Sequence, residues 1–308
     1  MKYRPEIDGL RAIAVLSVLI FHLEIVLFER IILKGGYLGV DIFFVISGYL
    51  ITYIIVNETK NNSFSLLNFY ERRARRILPI LLFIILIFLP VFWLTLLPFE
   101  LKEYAESGLY ALSFLSNFYF YSNSIEYGAP ESFELPLLHT WSLSVEEQFY
   151  LFSPAFFILI WKKFNNYIYF IIFLIALSSI LFSSIMASIN YEYNYYLVYS
   201  RIWEILVGSF IAIYEIKNGI KKDSKLYDAC TIIGLSILIL SLIFFDKNTK
   251  HPSYITILPI IGVALIIFCS SGKDIVGKIL SNKILVFIGI ISFSIYLWHF
   301  PIISFALS

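Results

Sequence analysis

The chain has 308 residues, 59% of them hydrophobic, 19% aromatic and only 15% charged. A soluble domain is roughly 45–50% apolar and about 25% charged, so this composition excludes one and describes an all-α polytopic membrane protein. A formal net charge of +1 supplies no bulk field for nucleic acid, and Cys230 and Cys269 have no metal or redox spacing and read as small core residues.

Ten stretches are apolar enough to weigh as membrane spans: 10–28, 37–56, 77–97, 105–122, 142–161, 167–187, 199–215, 229–245, 254–271 and 284–305. A spanning helix needs about 20 mostly apolar residues. The first stretch carries Arg11, His22 and Glu24, lacks a small-x-small cleavage site and is followed by further spans, so it is not a signal peptide. Ionisable side chains inside a membrane are costly, and their default reading is functional. Arg11 and His22 lie about 16 Å apart along one helix, which puts the arginine at one interface when the histidine is deeper.

The second stretch opens on Gly35-Gly36-Tyr37-Leu38-Gly39-Val40-Asp41. Gly39 and Gly48 read as small residues that let helices approach closely. Asp41 needs more than packing: it either orients His22 or pairs with Arg201. Before the third stretch, Arg72, Arg73, Arg75 and Arg76 fall within five residues. As a bland feature this is an electrostatic anchor on anionic lipid. As a sharper one it is a phosphate clamp, because guanidinium binds phosphate oxygens bidentately and residues three apart share a helix face. A phosphorylated donor such as coenzyme A suits it.

Stretch 105–122 is the weakest, with Glu106, Ser107, Gly108, Ser113, Ser116 and Asn117 among its aromatics. Charge placement decides its status. If it does not span and the N-terminus is cytoplasmic, only Arg30, Lys34, Lys102, Arg201, Lys247 and Lys250 fall outside. If it spans, three lysine-rich loops move outside. Nine spans are therefore preferred to ten, with 98–141 an external loop containing a membrane-lying helix.

Within that topology His22, Asp41, Glu146, Glu147, Arg201, Glu204 and His299 all lie toward the outer half. Glu146 and Glu147 are adjacent, so they point about 100° apart; one of them, or Asp41, could hold the second nitrogen of His22 and raise its basicity. His139 and His299 read as interfacial rings, His251 as incidental in a short external loop. Tyr193, Tyr195 and Tyr196 read as an aromatic belt, with sugar stacking as the alternative. Asp8 is placed to pair with Arg11 at i,i+3. An intramembrane histidine, a carboxylate and a cytoplasmic arginine clamp together suggest acyl transfer, where general-base help is worth roughly 10²–10⁴-fold. A transporter or flippase of an acyl donor or glycan also fits buried charges and arginines. A scaffold within a polysaccharide machine leaves the histidine unexplained.

These residues resemble the membrane acyltransferase-3 family. The resemblance is carried by Tyr3-Arg4-Pro5-Glu6-Ile7-Asp8-Gly9-Leu10-Arg11 leading to His22 and by Gly39-Val40-Asp41-Ile42-Phe43-Phe44-Val45-Ile46-Ser47-Gly48-Tyr49. The arginine loop, Trp141-Ser142-Leu143-Ser144-Val145-Glu146-Glu147-Gln148-Phe149-Tyr150 and Ser292-Phe293-Ser294-Ile295-Tyr296-Leu297-Trp298-His299-Phe300-Pro301 extend it. It implies O-acylation, usually O-acetylation, of cell-surface glycans such as lipopolysaccharide, peptidoglycan, capsule or exopolysaccharide, by a multi-pass protein of the cell membrane. The implied co-substrate is acetyl-CoA or another acyl-CoA, the acceptor a surface or lipid-linked glycan, with no bound cofactor or metal. The family's arginine-x10-histidine motif maps onto Arg11 and His22. Its arginine-x-x-arginine motif maps best onto Arg73 and Arg76, with Arg72 and Arg75 a second register. The site set is therefore His22, Glu146, Glu147 and Asp41 for chemistry, and Arg11 with the four loop arginines for the donor. Residues 1–308 are expected to form one acyltransferase domain without the family's last helix and without an extracytoplasmic esterase-like domain.

Overall fold

A computed structural model describes residues 3–27, 30–124, 135–219 and 225–307. Lys2, Lys221 and Lys222, used in the charge balance, lie outside them. Helices α1 (Pro5–His22), α2 (Gly39–Lys60) and α3 (Leu66–Thr95) come first, and α4 (Pro98–Leu112) and α5 (Ser116–Ser124) follow. Next are α6 (Thr140–Lys163), α7 (Ile168–Ile189), α8 (Tyr191–Tyr196), α9 (Val198–Asn218) and α10 (Lys225–Phe244). The chain continues through α11 (Ile257–Cys269), α12 (Ile275–Leu280), α13 (Lys283–Ile290) and α14 (Ser292–Leu307). The strands among the described residues are a two-residue antiparallel pair, with Val26 opposite Ile31.

Six helices are long and apolar enough to cross a membrane: α2, α3, α6, α7, α9 and α10, the first, fourth and fifth including an adjoining short helical turn or helix. The α13–α14 pair, bent by 66°, makes a seventh if it is one span. α1 carries Glu6, Asp8 and Arg11 early in its length, and Tyr254–Cys269 is a shorter apolar helix. With those two, every one of the nine preferred stretches has a helix. The chain is an all-α polytopic membrane protein. Stretch 105–122 forms no long helix. It divides between α4 and α5 around Phe114, whose φ of 56° is the left-handed conformation that ends a helix.

The bundle is built around α2. Two apolar cores meet on it: Val40, Phe44, Ile51 and Ile55 face one, and Ile42, Val45, Ile46 and Tyr49 face the other. α2 and α9 run parallel with their backbones in contact. A Cβ on Gly48 would fall 1.8 Å from the Ile205 carbonyl oxygen, and one on Gly208 would fall 2.0 Å from that of Val45. Small residues at such crossings are how membrane helices gain packing without a hydrophobic drive. In contrast, α3 leaves Leu82, Phe83, Leu86, Trp93 and Leu94 exposed, the face a lipid-contacting helix presents.

Candidate functional site

α6 carries a stripe of cavity-lining residues, Ser142, Glu146 and Tyr150, each four residues after the last. That spacing keeps them on one helix face. The cavity they share with α1, α2, α3 and α14 has about 980 Å³ of empty space, part of it open to solvent. Arg11, Arg73 and Arg76 line it at one end, and Ser292 and Tyr296 line it from α14. Arg11 is held by Asp8 at 2.9 Å, the pairing expected from sequence, and also feels the charge of Arg76. Glu146 accepts a hydrogen bond from Tyr150 at 2.9 Å.

The four loop arginines divide into two pairs. Arg72 pairs with Glu58 at 3.2 Å and Arg75 with Glu71 at 2.6 Å, both on exposed surface. Arg73 and Arg76 face the cavity, and the buried Nε of Arg73 has no hydrogen-bond partner. Of the two registers, Arg73 and Arg76 are the pair that lines the cavity. Glu147, the neighbour of Glu146, turns to an adjoining cavity that it shares with Arg73, Gln148 and Tyr150; its buried Oε1 has no partner. α5 closes that side, because Gln148 donates to Asn117 Oδ1 at 2.8 Å and Ser116 bonds Ser144 at 2.7 Å.

At the other end Tyr296 joins the cavity to a group of imidazoles. Its hydroxyl bonds Ser142 at 2.7 Å and donates to the His139 carbonyl at 3.0 Å. Its ring lies 5.3 Å from His299 and 5.5 Å from His139. His299 Nε2 is 3.3 Å from His22 Nδ1. His139 and His299, which the sequence suggested were interfacial rings, are buried. Both ring nitrogens of His139 lack a hydrogen-bond partner.

No carboxylate bonds to His22 among the described residues; the expected partner position is held by His299. Glu146 instead accepts from Tyr150 and lines the cavity with the arginines. Asp41 is engaged elsewhere. Its Oδ1 meets Arg201 Nη1 at 3.2 Å, and Arg201 also meets Glu204 at 3.1 Å. His251 Nε2 approaches Arg201 at 3.0 Å and Asp41 at 3.4 Å, with its Nδ1 at 3.1 Å from Thr256 Oγ1. Of the two partners considered for Asp41, the structure has Arg201. His251, read as incidental, is a buried member of that cluster. Tyr195 and Trp141 cover the Arg201 guanidinium at 5.2 and 5.3 Å, so these aromatics are internal packing. No group of His, Cys, Asp and Glu able to hold a metal occurs among the described residues.

The family model described as an acyltransferase domain, that of acyltransferase family 3, matches residues 4–307. The chain belongs to this family. It is 35% identical over 99% of its length to a Staphylococcus aureus (strain MSSA476) protein named "Putative O-acetyltransferase SAS0844", covering 51% of that protein. It is 34% identical over 99% of its length to O-acetyltransferase OatA of S. aureus (strain NCTC 8325 / PS 47), again covering 51%. The chain thus spans about half the length of the curated relatives it matches. No solved structure matches it.

Proposed function

We propose that this acyltransferase-family protein moves an acetyl group from a cytoplasmic acetyl-CoA to a hydroxyl of a cell-surface glycan, across the plasma membrane in which it sits with its N-terminus inside. The observation that carries the reading is the cavity bounded by Arg11, Arg73 and Arg76 at one end and by Tyr296, beside the histidines, at the other. Three guanidinium groups facing one cavity suit the phosphates of a nucleotide-bearing thioester. In this reading His22 takes the proton of the acceptor hydroxyl as the oxygen attacks the thioester carbonyl. The C–S bond breaks, the acetyl ester forms, and the thiolate of coenzyme A departs and takes up a proton. Acyl transfer of this kind gains roughly 10²–10⁴-fold from a positioned base. The names of the S. aureus relatives support acetyl as the group and oxygen as the acceptor atom.

The test compares surface glycans of the host with and without the gene by mass spectrometry, and repeats it with His22→Ala. Loss of one acetyl per modified residue in both strains, with normal protein levels in the mutant, is the expected result. Wild-type acylation in His22→Ala would remove His22 from the chemistry. Movement of the donor or glycan across vesicles with no transfer would favour a transporter.

A further inference from the structure

We propose that His299 is a positioning residue, whose Nε2 accepts a proton-bearing Nδ1 of His22 and so leaves the His22 Nε2 lone pair free to act as base. This rests on the reading of His22 as the base. The argument runs along the hydrogen-bond chain. His299 Nδ1 meets the backbone carbonyl of Tyr296 one turn back on α14. A carbonyl oxygen only accepts, so His299 Nδ1 carries the proton. A neutral imidazole has one N–H, and His299 Nε2 is then an acceptor. The atom facing it at 3.3 Å is His22 Nδ1, which therefore donates.

The surroundings hold the pair in place. Phe300 packs edge-on against the His22 ring at 5.1 Å, and Phe21 does so at 5.2 Å. His299 is buried between Tyr296 and His139, its ring centroid 5.4 Å from that of His139. In many histidine-base sites a carboxylate fixes the tautomer and also stabilises the imidazolium that forms. Here a neutral imidazole, tied to a carbonyl, performs the first task. The second depends on a negative charge, which a neutral imidazole lacks, so His299 acts by orientation.

The experiment uses membrane vesicles containing the full chain, radiolabelled acetyl-CoA as donor, and envelope glycan from the same host as acceptor. Initial rates are taken over a range of acetyl-CoA for wild type, His299→Leu, His299→Gln and His22→Ala. His299→Leu removes the acceptor and is expected to lower the maximal rate about 10²-fold while acetyl-CoA KM stays within about twofold. In His299→Gln the side-chain oxygen can accept in place of Nε2, and the rate should return to within about tenfold of wild type. A maximal rate for His299→Leu within about twofold of wild type would overturn the proposal. So would equal losses in the Leu and Gln variants at normal protein levels, or a loss expressed only in KM. His22→Ala separates the two layers. If it keeps its rate, the base assignment falls; if it is inactive while His299→Leu is not, only the role of His299 falls.

Discussion

Two arginine-centred clusters sit within the same bundle and differ in how their guanidinium groups are matched. Around Arg201 the guanidinium meets Asp41, Glu204 and the ring of His251, under Trp141 and Tyr195. Around Arg73 three arginines share a cavity with Glu146, and an arginine Nε has no partner. Arg201 is buried, whereas Arg73 is half-buried and Arg76 exposed. A buried guanidinium met by carboxylates holds the fold, since removing it strands them. A guanidinium at a cavity wall with a buried Nε left unpaired has room for an anionic partner. Arginine in a membrane helix is therefore read by its neighbours together with its depth.

The comparison can be broken most severely at Arg201. Arg201→Leu leaves Asp41 and Glu204 buried without their cation and should cost about 3–5 kcal/mol, seen as a large drop in melting temperature of the purified protein. Adding Asp41→Asn should recover part of it. A single mutant as stable as wild type would mean the cluster is not structural. Next in size, Arg73→Ala with Arg76→Ala removes two charge-assisted contacts of about 1.5–3 kcal/mol each. The acetyl-CoA KM should rise at least tenfold, with the melting temperature nearly unchanged. A fall in stability equal to that of Arg201→Leu would erase the distinction. The smallest effect belongs to Arg72→Ala and Arg75→Ala. Their exposed pairs with Glu58 and Glu71 are worth at most about 1 kcal/mol, and acetyl-CoA KM should not move. A strong KM effect there would reverse the register.

Much of this was legible from the amino acids alone. The apolar stretches became helices because length and composition decide that in a bilayer, and the broken character of 105–122 followed from its serines and Asn117. The pairing of Asp8 with Arg11 is local, so spacing sufficed. Spacing alone left the choice between Arg72–Arg75 and Arg73–Arg76 open, because both pairs have the same spacing, though the family resemblance favoured the second. The choice turns on where Glu58 lies, on another helix. His22 and His299 are separated by almost the whole chain, and nothing in spacing announces a contact between helices. A signal was present: topology put His22, His139 and His299 near the same membrane face. Their being buried together rather than lying at the interface depends on the bend between α13 and α14, which apolar patterning does not encode. Glu146 stands in the first two turns of α6, where the sequence put it, but that it faces Tyr150 and the arginine-lined cavity is a contact between helices that spacing does not state.

The α2–α9 seam carries one more consequence. Asp41 and Gly48 are seven residues apart on α2, and on α9 Arg201, the partner of Asp41, and Gly208, which abuts Val45 as Gly48 abuts Ile205, are also seven apart. Seven residues are two turns, about 10.5 Å, so the ion pair and the glycine crossing are two graduations of one ruler. A slip of a single residue would misalign both marks at once. Because Phe43, Ser47 and Leu50 project from the same α2 into the cavity, the depth at which they stand is read off that ruler, whatever the thickness of the surrounding bilayer.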